Sequence, residues 1–214
     1  MNDPVVDAVL FDYGGVIAEE GFIKGLARIA EKNGIEREYF FDVATDQVYK
    51  TGYLTGQADE AAFWQAVREI TGIRESDRVL TDEILSHFTL RSWVLDLADD
   101  LRNLGLTVGI LSDQVDWLDR LDKRDGFFEH FDPVFNSYYL GLSKRAEAIF
   151  EEIPRRMGLA AERICFIDDN QGNCERARKN NIKAILYRTG NGMLLDLKGY
   201  VPALDPSRYD LESD

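Results

Sequence analysis

The chain has 214 residues, enough for one domain carrying a sizeable insertion or for two modest domains. Hydrophobic residues at 45% supply a real core, and no apolar run is long enough to span a bilayer. A formal net charge of −14 repels phosphate backbones and argues against a nucleic-acid partner.

The first four residues, Met1 to Pro4, lack the basic start and apolar middle of a secretory signal, so cytoplasmic residence is the default expectation. A first strand is expected over Val6 to Asp12, a buried run that ends in a carboxylate and is followed by Gly14 and Gly15. From Glu20 to about Phe88 the pattern turns helical. Phe22, Ile23, Leu26, Ile29 and Ala30 mark one face of a helix ended by Asn33-Gly34. Glu38 to Lys50, rich in aromatics and closed by Gly52, predicts a second helix. Asp59 to Thr71, with Phe63, Trp64, Val67 and Ile70, predicts a third. A short fourth is expected to begin at Thr81, with Asp82 and Glu83 in its first turn. No strand interrupts this block, which reads as a helical insertion over 20–88 in a core made of 1–19 and 89–214.

From Trp93 helices and strands alternate. A helix through Leu97, Ala98, Leu101 and Leu104 ends at Gly105 and feeds the strand Thr107 to Ser112. A helix through Trp117, Leu118 and Leu121 precedes a short strand at Pro133 to Ser137. The loop Gly141-Leu-Ser-Lys144 opens a helix through Ile149, Phe150, Ile153 and Met157. Strands at Arg163 to Asp168 and Lys183 to Tyr187 flank a helix ending at Asn180-Asn181. The pattern predicts an α/β fold with a parallel sheet covered on both faces. Cys165 and Cys174 fit no metal or redox spacing and read as free thiols. The tail after Gly190, with two prolines and an acidic end, is expected to pack loosely.

Ligands of open α/β sheets bind at the carboxyl ends of the strands. The strand ends here deliver Asp12, then Ser112-Asp113, and finally Asp168-Asp169-Asn170, with Lys144 on the loop after the third strand. This set suits phosphoryl transfer with magnesium, whose preferred ligands are carboxylate oxygens. Asp12 with Asp168 or Asp169 would hold the ion, with the Gly14 carbonyl as a further ligand. A carboxylate can also attack phosphorus to form an aspartyl-phosphate. Lys144 would neutralise phosphate charge and the Ser112 hydroxyl would donate to it. Asp113 at the same strand end is grouped with Ser112 and Lys144 at the substrate phosphate, where its charge would repel the phosphate unless it is protonated, turned away or paired. His87 and His130 are far from these motifs and read as structural or surface groups. Gly14-Gly15 is not a dinucleotide fingerprint.

Asp12-Tyr-Gly-Gly-Val16, the strand ending in Ser112, Lys144 and Asp168-Asp169 resemble, in order and spacing, the four motifs of the haloacid dehalogenase (HAD) superfamily, over about Val6 to Tyr187. The resemblance is to its phosphatase branch with a helical cap of the first type and an Asp-x-Gly first motif. It implies a Rossmann-like five-stranded core in order 3-2-1-4-5 with the block 20–88 as the cap. It further implies Asp12 as nucleophile, Ser112 and Lys144 as phosphate ligands, and a Mg2+ site of Asp12, Gly14 and the acidic pair, with Asp169 the more direct ligand. Substrate would be a small phosphorylated metabolite; nothing in the sequence speaks to oligomeric state. Most phosphatases of the superfamily carry a second Asp at the position of Gly14 as leaving-group acid/base. Its absence leaves Asp113, Glu19, Glu20 and Asp46 as unranked replacements. Two other readings follow from the same motifs. A metal-independent 2-haloacid dehalogenase generally lacks the acidic pair, and a catalytically silent binder of phosphorylated ligands would accommodate Gly14 and Asp113.

Overall fold

The computed structural model describes residues 4–209 and 211. Five parallel strands form one sheet in the order β3-β2-β1-β4-β5. They are β1 (Ala8–Phe11), β2 (Thr107–Ser112), β3 (Val134–Asn136), β4 (Ile164–Asp168) and β5 (Lys183–Leu186). The central strand is buried along its whole length because side chains of both faces meet helices. Val9 and Phe11 join the larger apolar cluster, while Ala8 and Leu10 join a second cluster on the opposite face. The register pairs Phe11 with Ile110 on one side and Ile167 on the other. One residue further, Asp12 and Asp168 therefore stand side by side at the carboxyl edge, and the Asp12 amide donates to the Ile167 carbonyl at 2.8 Å.

Between β1 and the helix α5 (Ser92–Asn103) lie four helices, α1 (Gly21–Asn33), α2 (Arg37–Lys50), α3 (Glu60–Thr71) and α4 (Asp77–Ser86). Each has a side-chain cap: Glu20, Glu36, Asp59 and Ser76 accept from amides of their first turns. The fourth helix begins four residues earlier than Thr81, because Ser76-Asp77 supplies the capping oxygen. Thr81 is buried mid-helix, where its hydroxyl accepts from Trp64 Nε1 at 2.8 Å. The insertion shares its apolar core with one face of the sheet, through Phe40, Phe63, Trp64 and Leu80.

The rest of the chain follows the alternating pattern: α6 (Trp117–Asp125), the short α7 (Ser137–Leu140), α8 (Glu147–Met157) and α9 (Gln171–Lys179). Cys165 and Cys174 are buried free thiols. The tail does not pack loosely. Residues Gly190–Tyr200 form a further helix, α10, with Met193, Leu194 and Leu197 buried. Val201 and Leu204 continue the contact, and the Val5 amide donates to the Tyr200 carbonyl at 2.8 Å. Gly190, Gly192 and Gly199 weigh against a helix by propensity, and the apolar face overrides them. The acidic end of the tail, 212–214, lies outside the described residues. No helix among the described residues is long and apolar enough to cross a membrane.

If α10 is part of the core, Leu197→Ala leaves a cavity and lowers unfolding free energy by about 2–5 kcal/mol. Equilibrium urea denaturation measures this; a change within about 0.5 kcal/mol, the range of surface substitutions, would contradict it.

Candidate active site

The carboxyl edge of β1, β2 and β4 floors a cavity of about 290 Å³. Asp12 lies on that floor and is held from three directions. Its Oδ1 accepts from the Tyr13 amide at 2.8 Å and from Ser112 Oγ at 2.6 Å. Its Oδ2 lies 2.6 Å from Lys144 Nζ. The same ammonium donates to Asp168 Oδ2 at 2.7 Å, so Lys144 bridges two carboxylates while only 2% exposed. Burial alone would push the Lys144 pKa down, but Asp12 and Asp168 reverse this and raise it, so the ammonium stays charged. Burial pushes the Asp12 carboxyl up, and the Asp168 charge adds to that against the pull of Lys144.

Asp168 and Asp169 are neighbours in sequence with different surroundings. Asp168 is fully buried and saturated: Asn173 Nδ2 reaches both its oxygens at 3.2 and 3.0 Å, and the Asn170 amide donates to Oδ1 at 2.7 Å. Asp169 makes no ion pair among the described residues, and burial followed by the Asp168 charge pushes its carboxyl up. Its position depends on Gly15. That residue has a φ of +80°, and a Cβ there would fall 2.1 Å from Asp169 Oδ2. Asp12, Asp168 and Asp169 offer oxygens within 4.8 Å of one another. Three carboxylates against a single ammonium leave the site negative, and with Asp168 saturated the oxygens of Asp12 and Asp169 are the ones that could meet a divalent cation such as magnesium.

The remaining sequence-selected residues take distinct places. Asp113 lines the cavity but is paired: Oδ1 accepts from Ser137 Oγ at 2.6 Å and the Lys144 amide at 2.8 Å, and Tyr49 donates to Oδ2 at 3.3 Å. It therefore anchors the backbone of Lys144 and the α2 helix. Glu20 also reaches the cavity. Its Oε1 accepts from the Phe22 and Ile23 amides, while Oε2 lies 3.0 Å from where a Cβ on Gly14 would sit. Burial pushes the Glu20 carboxyl up. Glu19 pairs with Lys24, and Asp46 is an exposed partner of Lys50, so neither matches this placement. His87 pairs with Glu83 and His130 with Asp99, both outside the cavity lining.

Three comparisons bear on this arrangement. The family model for haloacid dehalogenase-like hydrolases matches residues 6–179. The chain belongs to the haloacid dehalogenase-like hydrolases. Among solved structures it is similar to the HAD family enzyme bt-2542 of Bacteroides thetaiotaomicron, in a structure holding magnesium and inorganic phosphate. That match has 24% identity over 86% of this chain and 94% of that one, with a TM-score of 0.69. A HAD-like family hydrolase of Porphyromonas gingivalis matches at 20% identity over 85% and 91% of the two chains, TM-score 0.64. L-2-haloacid dehalogenase of Xanthobacter autotrophicus, with chloropropionic acid covalently bound, matches at 17% over 84% and 76%, TM-score 0.62. No curated protein matches the chain.

Within this HAD-like hydrolase, sequence reasoning passed over the supports of the acidic pair. Asn173 holds Asp168, and Arg176 donates through Nε to the Lys144 carbonyl at 2.6 Å and through a terminal nitrogen to Asn173 Oδ1 at 2.6 Å. Their i,i+3 spacing on a helix opening directly after the acidic pair was the available signal. Ser137, which fixes Asp113, had none.

Lys144→Ala leaves two buried carboxylates without their cation, a loss of about 3–5 kcal/mol in unfolding free energy. Burial holds the folded-state pKa of Asp12 above its unfolded value, so its charge costs stability once pH exceeds the unfolded value. The deficit should shrink as pH falls toward about 4, where unfolded carboxylates protonate. Chemical denaturation across pH reads this, and a deficit that grows on acidification would refute the arrangement.

Proposed function

We propose that the chain is a magnesium-dependent phosphatase that hydrolyses a small phosphorylated metabolite through an aspartyl-phosphate on Asp12. The carrying observation is the buried bridge of Lys144 between Asp12 and Asp168, beside Asp169, which forms no ion pair among the described residues. The magnesium and phosphate held by the bt-2542 enzyme are consistent with this reading. The acidic pair favours it over dehalogenation, to which the likeness is one of fold. The setting would be the cytoplasm, with both thiols reduced.

In this reading Asp12, Asp169 and the Gly14 carbonyl hold the ion, with Asp168 ordering the set. Bound magnesium screens the repulsion between a carboxylate nucleophile and an anionic ester and polarises the phosphoryl oxygen. The Tyr13 amide and Ser112 hydroxyl fix the rotation of the Asp12 carboxylate, so that it meets phosphorus oriented. Lys144 offsets charge on the phosphoryl oxygens, and the Ser112 hydroxyl becomes a second donor when its single hydrogen turns from Asp12 Oδ1 to the phosphate. The leaving alkoxide takes its proton from Glu20, whose Oε2 lies 3.0 Å from where a Cβ at position 14 would sit. Water then releases phosphate from Asp12. Helices α1 to α4 act as the cap, closing the cavity from solvent.

Purified protein should release phosphate from a panel of phosphomonoesters with magnesium, and chelator or Asp12→Asn should abolish release. No phosphate from any ester with magnesium present would refute the reading. Glu20→Gln should slow hydrolysis of an alkyl phosphate by ~10²–10⁴-fold. It should affect p-nitrophenyl phosphate far less, because nitrophenolate leaves without a proton. Equal losses on both esters would remove Glu20 from this role.

A further inference from the structure

The cavity carries its positive charge at two depths. Lys144 lies at the floor, 2% exposed and shared between Asp12 and Asp168. Arg145, the next residue, also lines the cavity but is exposed, so its charge stands at the mouth. Its guanidinium carbon lies 3.6 Å from the centre of the Tyr49 ring, on helix α2 of the insertion. At that separation only a flat, face-on approach keeps the amino groups out of the ring. A guanidinium stacked in this way holds its five N–H donors around its edge, where a ligand can meet them.

Arg145 spends none of those donors, forming no hydrogen bond or ion pair among the described residues. The ring beneath it is fixed, because the Tyr49 hydroxyl donates to Asp113 Oδ2 at 3.3 Å. Asp113 is committed in turn to Ser137 Oγ and the Lys144 amide, at 2.6 and 2.8 Å. Arg176 lines the cavity too, but its Nε and one terminal nitrogen are bound to the Lys144 carbonyl and Asn173 Oδ1 at 2.6 Å each. Of the two, only Arg145 presents a whole fork. In a chain with 39 acidic and 25 basic side chains, a positioned guanidinium without a carboxylate partner suits an incoming anion.

The phosphate of the proposed reaction belongs at the floor, against Asp12, Ser112 and Lys144, which leaves Arg145 to a second group on the same ligand. One guanidinium balances one negative charge, and its fork matches a carboxylate through two parallel N–H···O bonds. A cavity of about 290 Å³ sets the ester on the scale of a few carbon atoms. We propose that the substrate is the phosphate monoester of a short hydroxy acid, its carboxylate read by Arg145. The inference rests on the phosphatase reading for its turnover and on Arg145 for its selectivity.

The test uses the phosphate esters of 3-hydroxypropionate, 4-hydroxybutyrate and 5-hydroxypentanoate, each beside its own carboxamide, with magnesium. Acid and amide match in length and shape and differ in charge. The best acid should exceed its amide in kcat/KM by about tenfold or more, the size of one charge-assisted hydrogen bond. Arg145→Gln should bring that ratio down by about tenfold, chiefly through the KM of the acid, because the carboxylate takes no part in bond breaking. Arg145→Lys, which keeps the charge without the fork, should restore part of it. A purely structural role for Arg145 would lower acid and amide alike. Binding of the corresponding carboxy-phosphonates and their amides is measured by calorimetry alongside. Amides turned over as well as acids, a ratio unmoved by Arg145→Gln, or a preference for 1,3-propanediol bisphosphate over every acid overturn the substrate class and leave the phosphatase reading standing. Tighter, Arg145-dependent binding of carboxy-phosphonates without turnover of any ester keeps the carboxylate site and overturns the phosphatase reading. No preference in binding and no turnover overturn both.

Discussion

One buried ammonium organises this molecule. Lys144 lies between Asp12 and Asp168 at the carboxyl edge of the sheet, with distances of 2.6 and 2.7 Å. Without it, adjacent strands would place two carboxylates side by side in a nearly dry environment, a cost that no surrounding apolar contact offsets. The neighbouring features read as means of keeping it there. Asp113 accepts the Lys144 amide, Arg176 donates to the Lys144 carbonyl, and Phe166 lies under the ammonium at 5.5 Å from the ring centre. The ammonium neutralises only part of the acidic set. Asp169, which forms no ion pair among the described residues, adds a carboxylate with which the set could hold a divalent cation.

The sheet and the floor of the site were legible in the sequence for the same reason. Each strand is a short apolar run ending in a polar residue, and parallel order brings those ends to one edge. Asp12, Ser112 and Asp168 meet because β1, β2 and β4 are adjacent, and Lys144 joins them from the loop after β3. What the sequence did not disclose depends on side-chain direction. Asp113 and Ser112 are consecutive, yet one faces Asp12 and the other turns to Ser137 and the Lys144 loop. Glu19 and Glu20 are consecutive too, and one pairs with Lys24 while the other caps α1 and enters the cavity. Helix α10 was missed because glycine propensity speaks locally, while the apolar face of Met193, Leu194 and Leu197 acts through tertiary contact.

The insertion is fastened to the core by polar groups set around aromatic stacking. Tyr53, Phe63 and Trp64 gather around Trp117 of α6. Glu60 of α3 accepts from Trp117 Nε1 at 2.6 Å and from Arg120 at 2.8 Å, and Arg124 donates to the Leu85 and Phe88 carbonyls at 2.7 Å each. Nearer the cavity the fastening is the chain Asp113–Tyr49–Arg145, in which a carboxylate that braces Lys144 also receives a hydroxyl from α2. The backbone of Lys144 and the α2 wall of the cavity therefore share one carboxylate.

Glycine at position 14 and glutamate at position 20 are best understood as one arrangement. A side chain at position 14 would meet the Glu20 carboxylate, so the small residue is what admits the larger acid. Glu20 is the capping residue of α1, the first helix of the insertion, and its Oε1 is held by two amides of that helix. An acid on the strand loop would be present whatever the insertion did. An acid fixed to α1 belongs to the element that walls the cavity. In the proposed reaction, the proton for the leaving group then comes from the same element that walls the cavity. With glycine at position 14, the acid of the proposed reaction is one held by the first helix of the insertion.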